Sequence, residues 1–126
     1  MEYHIYVILP PNLLKLTFGD RFNQEFETGT FPPKLTKLKF GRKFNKLFKP
    51  DVLVSSIEYL EFGYDFEQVF RKNVLPNNLS TLIVGSSFKK LLICSIFPLN
   101  LKEVKLKFNE STSKNNKKII EIVNLH

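Results

Sequence analysis

The chain has 126 residues, 43% hydrophobic and 25% charged, a balance that suits one globular domain and excludes a disordered or membrane-embedded composition. Ordinary packing at this size buries about two-thirds of the unfolded surface, so a real core is within reach. The formal net charge of +7 comes from 16 Lys and only 3 Arg, and Arg is the residue that phosphate and base-edge recognition favours.

The opening stretch, MEYHIYVILPPNLL, carries an acid, lacks a basic n-region and breaks its apolar run with Pro-Pro. It reads as neither a signal peptide nor a transmembrane helix, and the expected location is cytoplasmic. Cys94 is the single cysteine, so no internal disulfide can form, which fits a reducing compartment. Residues 1–8 are apolar and β-prone (Tyr3, Ile5, Val7, Ile8), and the expectation there is an N-terminal cap strand.

From residue 9 the chain repeats itself every 22 residues without an insertion. The units run 9–30, 31–52, 53–74, 75–96 and, in part, 97–108. One column reads Leu16, Leu38, Leu60, Leu82, Val104; the next reads Phe18, Phe40, Phe62, Val84, Leu106. Glycines follow at Gly19, Gly41, Gly63 and Gly85, then two aromatic columns: Phe22, Phe44, Phe66, Phe88 and Phe26, Phe48, Phe70, Leu92. Alternation around Leu16 and Phe18, with Lys15 and Thr17 pointing the other way, predicts one short strand per unit. The glycine after each strand suits a sharp turn, which requires either φ > 0 or close backbone approach. Pro10, Pro32, Pro76 and Pro98 stand upstream, outside the ladder, where a missing N–H is tolerable.

A 22-residue unit cannot bury its own apolar stripe, so the coils must stack. The predicted fold is a β-rich, leucine-rich-repeat-like solenoid of about five coils with parallel strands and capped ends. After residue 108 comes a polar stretch, 109–118, read as a loop. Residues 119–126 turn apolar again, and two readings stand: a truncated sixth coil, with Ile119 and Val123 in phase, or a short helical cap.

The frame L-P-x-x-L-x-x-L-x-F-G-x-x-F-N over residues 9–108 resembles the FNIP repeat, a leucine-rich-repeat-like unit common in amoebae and the large DNA viruses that infect them. Phe22-Asn23 and Phe44-Asn45 keep the Phe-Asn pair, Phe66-Glu67 and Phe88-Lys89 depart from it, and Lys107 stands where the glycine column would continue. Such repeats often follow an F-box, so the resemblance implies substrate recognition in a ubiquitin ligase. Eight residues ahead of the first coil are too few for an F-box, so a separate adaptor, or a decoy role, is the expectation.

No catalytic set emerges, and no cofactor, metal or small-molecule substrate is implied. His4 and His126 lie at opposite ends of the sequence, and Cys94 has no histidine in its own unit. The glycines match neither a Walker loop nor a dinucleotide fingerprint. Glu58, Glu61, Asp65 and Glu67 read as a solvated face beside the Lys-rich second unit.

The outward strand positions are the expected partner-binding face: Lys15, Thr17, Lys37, Lys39, Tyr59, Glu61, Thr81, Ile83, Glu103 and Lys105, with Tyr59 and Ile83 as exposed anchors. The leading reading is a non-catalytic protein-interaction module. Nucleic-acid or anionic-surface binding through Lys34, Lys37, Lys39, Arg42, Lys43, Lys46 and Lys49 is the alternative, as is an expanded paralogue with no role of its own.

Overall fold

The computed structural model describes residues 8–108 and 120–123. Among them runs one six-stranded sheet in simple chain order: β1 (Lys15–Thr17), β2 (Lys37–Lys39), β3 (Tyr59–Glu61), β4 (Thr81–Gly85), β5 (Glu103–Lys107) and β6 (Ile120–Val123). The first five are parallel and keep one register, Leu16 beside Leu38, Leu60, Leu82 and Val104 in turn. Each coil therefore advances the chain by one strand spacing, and the protein is the parallel-strand solenoid that the repeat predicts. Apart from the exposed Ile8, the expected cap at 1–8 and the polar loop at 109–118 lie outside the described residues.

The end of the chain is neither a parallel sixth coil nor a helix. Residues Ile120–Val123 form a strand, not a helix, and β6 runs antiparallel to β5 with Val104 opposite Val123. A sixth coil would have to run parallel, so β6 closes the far edge of the sheet without extending the stack. The only helical element among the described residues is a 3-10 segment, Ser86–Leu91, in the fourth coil.

Local chemistry sets the path of each coil. A turn precedes each of the five parallel strands: the N–H groups of Leu13, Leu35, Leu79 and Leu101 donate to the carbonyls of Pro10, Pro32, Pro76 and Pro98 at 3.1–3.2 Å. Ile57 makes the same bond to Val54 at 3.2 Å, so the turn survives where proline is absent. Next, one carbonyl accepts two N–H groups from the following coil. Leu14 receives Thr36 and Lys37 at 2.8 and 3.1 Å, and Thr36, Glu58 and Ser80 repeat the pattern onward. On the return side, Gly29, Asp51 and Asn73 share one place in the first three coils, with φ of 90°, 68° and 64°. Glycine, Asp and Asn are the residues that tolerate this left-handed region.

The core is a set of phenylalanine stacks. Phe18, Phe40 and Phe62 lie face to face at 5.2 and 5.3 Å with interplanar angles of 4° and 6°. Phe22, Phe44, Phe66 and Phe88 form a second stack at 6.0–6.2 Å, and Phe26 stacks on Phe48 at 6.1 Å. Within coils the columns touch as well, Phe62 and Phe66 at 3.9 Å. Burying each ring removes about 2–3 kcal/mol worth of apolar surface from water. Ring contact adds about 0.5–1.5 kcal/mol per pair.

The glycine column answers to close approach, not to φ. Of the glycines, Gly29 alone has positive φ. A Cβ on Gly41 would stand 2.5 Å from the Gly19 carbonyl oxygen and 2.6 Å from the Asp20 Cα, and one on Gly63 would lie 2.6 Å from the Arg42 Cα. At Gly85 the nearest atom is the Tyr64 Cα at 2.9 Å, so the stack loosens there. Gly85 also ends β4 in ladder register with Lys107, where the earlier glycines lie beyond their strands. That is how the fifth coil tolerates a lysine in the column.

Two substitution pairs test these assignments by chemical denaturation. Phe44→Ala, at a fully buried ring, should cost about 3–5 kcal/mol, while Thr17→Ala on the open side should cost under about 0.5 kcal/mol. Equal losses would invert the inward and outward assignment. Gly63→Ala should destabilise by about 1–3 kcal/mol, because backbone stands in the way. Gly19→Ala, with nothing within 4 Å of its Cβ, should be neutral or slightly stabilising. A matching loss at Gly19 would mean that the glycines serve turn conformation after all.

Candidate interaction face

The strand register assembles the ten outward positions into two columns. Lys15, Lys37, Tyr59, Thr81 and Glu103 form one, and Thr17, Lys39, Glu61, Ile83 and Lys105 the other. At ~4.8 Å per strand the columns extend roughly 20 Å. Their first members, Lys15, Thr17 and Lys37, are exposed, and Lys39, Tyr59, Thr81, Glu103 and Lys105 are half-buried.

Two positions differ from expectation. Glu61 is 3% exposed and Ile83 5%, so neither is an open contact residue. One partner of Glu61 lies 46 residues away, at Lys107. Alternation along β5 turns Lys107 to the same face as Glu103 and Lys105, and its Nζ meets Glu61 Oε2 at 3.1 Å. The bridge from β5 to β3 spans β4, where Ile83 sits. In the sequence Lys107 stands out only as a missing glycine. The Glu103, Lys105, Lys107 alternation is the signal that places it on this face, but nothing in the spacing says how far its side chain reaches.

Glu61 is the hub of this face. Its Oε1 accepts the Tyr59 hydroxyl at 2.6 Å, and its Oε2 also pairs with Lys39 Nζ at 3.3 Å. Burial alone would raise the Glu61 carboxyl. The Tyr59 hydrogen bond and the Lys107 and Lys39 charges outweigh it and hold the group down at about 2. Burial and then donation to Glu61 push the Tyr59 hydroxyl above its ordinary range. Lys37 lies over the Tyr59 ring at 4.6 Å, and Glu103 takes Thr81 Oγ1 at 3.2 Å and Lys105 Nζ at 3.4 Å. The middle and far end of the face are thus preorganised, and the first two coils stay open.

Beyond the strands, side-chain oxygens continue the ladder. The Asn45 N–H donates to Asn23 Oδ1 and the Glu67 N–H to Asn45 Oδ1, both at 2.9 Å. Each asparagine serves the coil after it, so Glu67 completes a rung as donor although it departs from the Phe-Asn pair. Of the coil-three carboxylates, Glu58, Asp65 and Glu67 are solvated and Glu61 is not. Cys94 is exposed, and among the described residues no His, Cys, Asp and Glu group could hold a metal ion. No described helix is long and apolar enough to cross a membrane.

Stacked parallel strands, an inward Phe and Leu core and an asparagine ladder through the first three coils define a leucine-rich-repeat-like solenoid. The model of the FNIP Repeat matches residues 5–43, 44–87 and 66–111, and the chain belongs to the FNIP-repeat family. It is similar in structure to CroV588, a giant-virus protein described as a novel circular LRR protein structure. The TM-score is 0.75 at 36% identity, over 84% of this chain and 16% of CroV588, so the chain spans a small part of that protein's length. No curated protein matches the chain.

The depressed Glu61 carboxyl makes stability depend on acid in a defined direction. Its folded value, about 2, lies below the ordinary 4.5, so its contribution is complete above pH 4.5 and disappears as pH falls towards 2. Thermal melts across that window should show the loss, on the order of 3 kcal/mol. Glu61→Gln should melt lower at pH 7, since it strands the buried Lys107, and its melting temperature should vary less with pH in the window. An unchanged acid slope in the variant would assign the transition to other carboxylates.

Proposed function

We propose that the protein is a non-catalytic protein-interaction module that contacts its partner through the outward face of the sheet. The observation that carries this reading is a contrast between columns. Inward positions repeat Leu and Phe from coil to coil, while the outward ones run Lys, Lys, Tyr, Thr, Glu and Thr, Lys, Glu, Ile, Lys. Glu61 and Ile83 are withdrawn from contact, and the network around Glu61 holds its neighbours on the face in one geometry, which lowers the ordering cost of binding. The finer reading, suggested by the F-box that such repeats often follow, is a substrate-recognition or decoy element working with a separate ubiquitin-ligase adaptor in the cytoplasm.

Site-specific photo-crosslinking tests the reading. A benzophenone side chain replaces Thr81 on the face or Thr28 on the return side, and each protein is irradiated in nuclease-treated amoebal cytosol at moderate salt. A defined protein adduct is expected from position 81 and not from 28. Identical adducts from both positions, or none once nucleic acid is digested, would remove the face from consideration and favour the basic second coil.

A further inference from the structure

Resting on that interaction reading, we propose that an open trough beside the first three strands receives a short, extended, acidic segment of a protein partner. The trough encloses about 430 Å³. The backbones of Gly41 and Gly63 line it, Thr17 and Lys39 stand on one side, and Asp20, Arg42 and Tyr64 stand on the other. Lys107 marks its far end, where the Tyr64 hydroxyl donates to the Phe108 carbonyl at 2.6 Å. From β1 to β3 are two strand steps, ~10 Å, which is about three residues of extended chain.

Charge selects the occupant. The two carboxylates are committed: Glu61 holds Lys39 and Lys107, and Asp20 Oδ1 accepts the Arg42 backbone N–H at 3.2 Å. The cations are not used up. Among the described residues no hydrogen-bond or ion-pair partner meets the Arg42 guanidinium. Lys39 keeps 42% of its side chain exposed with donors to spare, and Lys15 and Lys37 stand exposed beside it. A carboxylate seated between Lys39 and Arg42 gains charge-assisted hydrogen bonds, and the planar guanidinium can take it in bidentate fashion.

The same residues disfavour nucleic acid. No aromatic face in the trough is open for stacking a base: Phe18 is sandwiched by Phe22 at 4.4 Å and Phe40 at 5.2 Å, and the Tyr64 ring already faces Lys107 Nζ at 5.5 Å.

Fluorescence anisotropy decides the matter with three labelled probes: a peptide carrying the run Glu-Asp-Glu between glycines, its Gln-Asn-Gln counterpart and a short oligothymidylate. The acidic peptide is expected to bind and the amide peptide not. Arg42→Gln, which removes no folding contact, should weaken binding about tenfold. Lys49→Gln, an equal charge change outside the trough, should leave it within about twofold. Equal binding of the amide peptide, equal loss in both variants, or tighter binding of the oligothymidylate would overturn the assignment. So would no binding of the acidic peptide. If the position-81 adduct persists while the acidic peptide fails, the trough is wrong and the interaction module stands. Loss of both removes both.

Discussion

Successive coils lie one strand spacing apart, and the backbone of one rests directly on the backbone of the next at the glycine column. The rest of the molecule depends on that contact. The Cβ positions at Gly41 and Gly63 are occupied by the preceding coil, so any side chain there would wedge the stack open. Wedging would cost more than one contact, because the same spacing carries the strand ladder, the paired bonds to Leu14, Thr36, Glu58 and Ser80, and the asparagine rungs. The phenylalanine stacks depend on it too. Rings at 5–6 Å with nearly parallel planes require coils that repeat without rotation.

Much of this can be read from the residues, because the stack translates a one-dimensional repeat into a three-dimensional one. Leu16, Leu38, Leu60 and Leu82 occupy the same environment, so their spacing in the sequence is their spacing in the sheet. Legibility ends where that translation ends. The left-handed place in each return turn is hidden from a hydropathy reading, because Gly29, Asp51 and Asn73 share a conformational tolerance and no common hydropathy. Glycine, Asp and Asn recurring at the repeat period is the signal that marks it. The chain's last strand eludes the repeat for a different reason. Phase alone suggests a sixth coil, yet phase says nothing about direction, and β6 runs backwards.

The face is the least legible part, and Glu61 shows why. Its position on the outward column is set by alternation, but its buried ion pair is made with a lysine two coils away. Nothing in the repeat pairs those residues, since the repeat assigns position 107 to glycine. The substitution exchanges one function for another. In coils two and three that position lets backbones touch, whereas in coil five, where the stack is already looser at Gly85, it supplies a charge. A buried pair of this kind adds little net stability over an apolar equivalent. What it fixes is geometry: Tyr59, Lys39 and Glu61 are held as one unit.

A division of labour along the solenoid results. Coils three to five direct their outward charges at each other, through Glu61 with Lys107 and Glu103 with Lys105. Coils one and two carry an excess of cations over acids on the same face, and only Lys37 and Lys39 are partly engaged, by Tyr59 and Glu61. Binding energy is best recovered where groups are already oriented but not yet neutralised. On this molecule that condition is met at one border, between the satisfied network of coil three and the open lysines of coil two. A partner that supplied carboxylates there would complete a charge pattern that the fold itself leaves unbalanced.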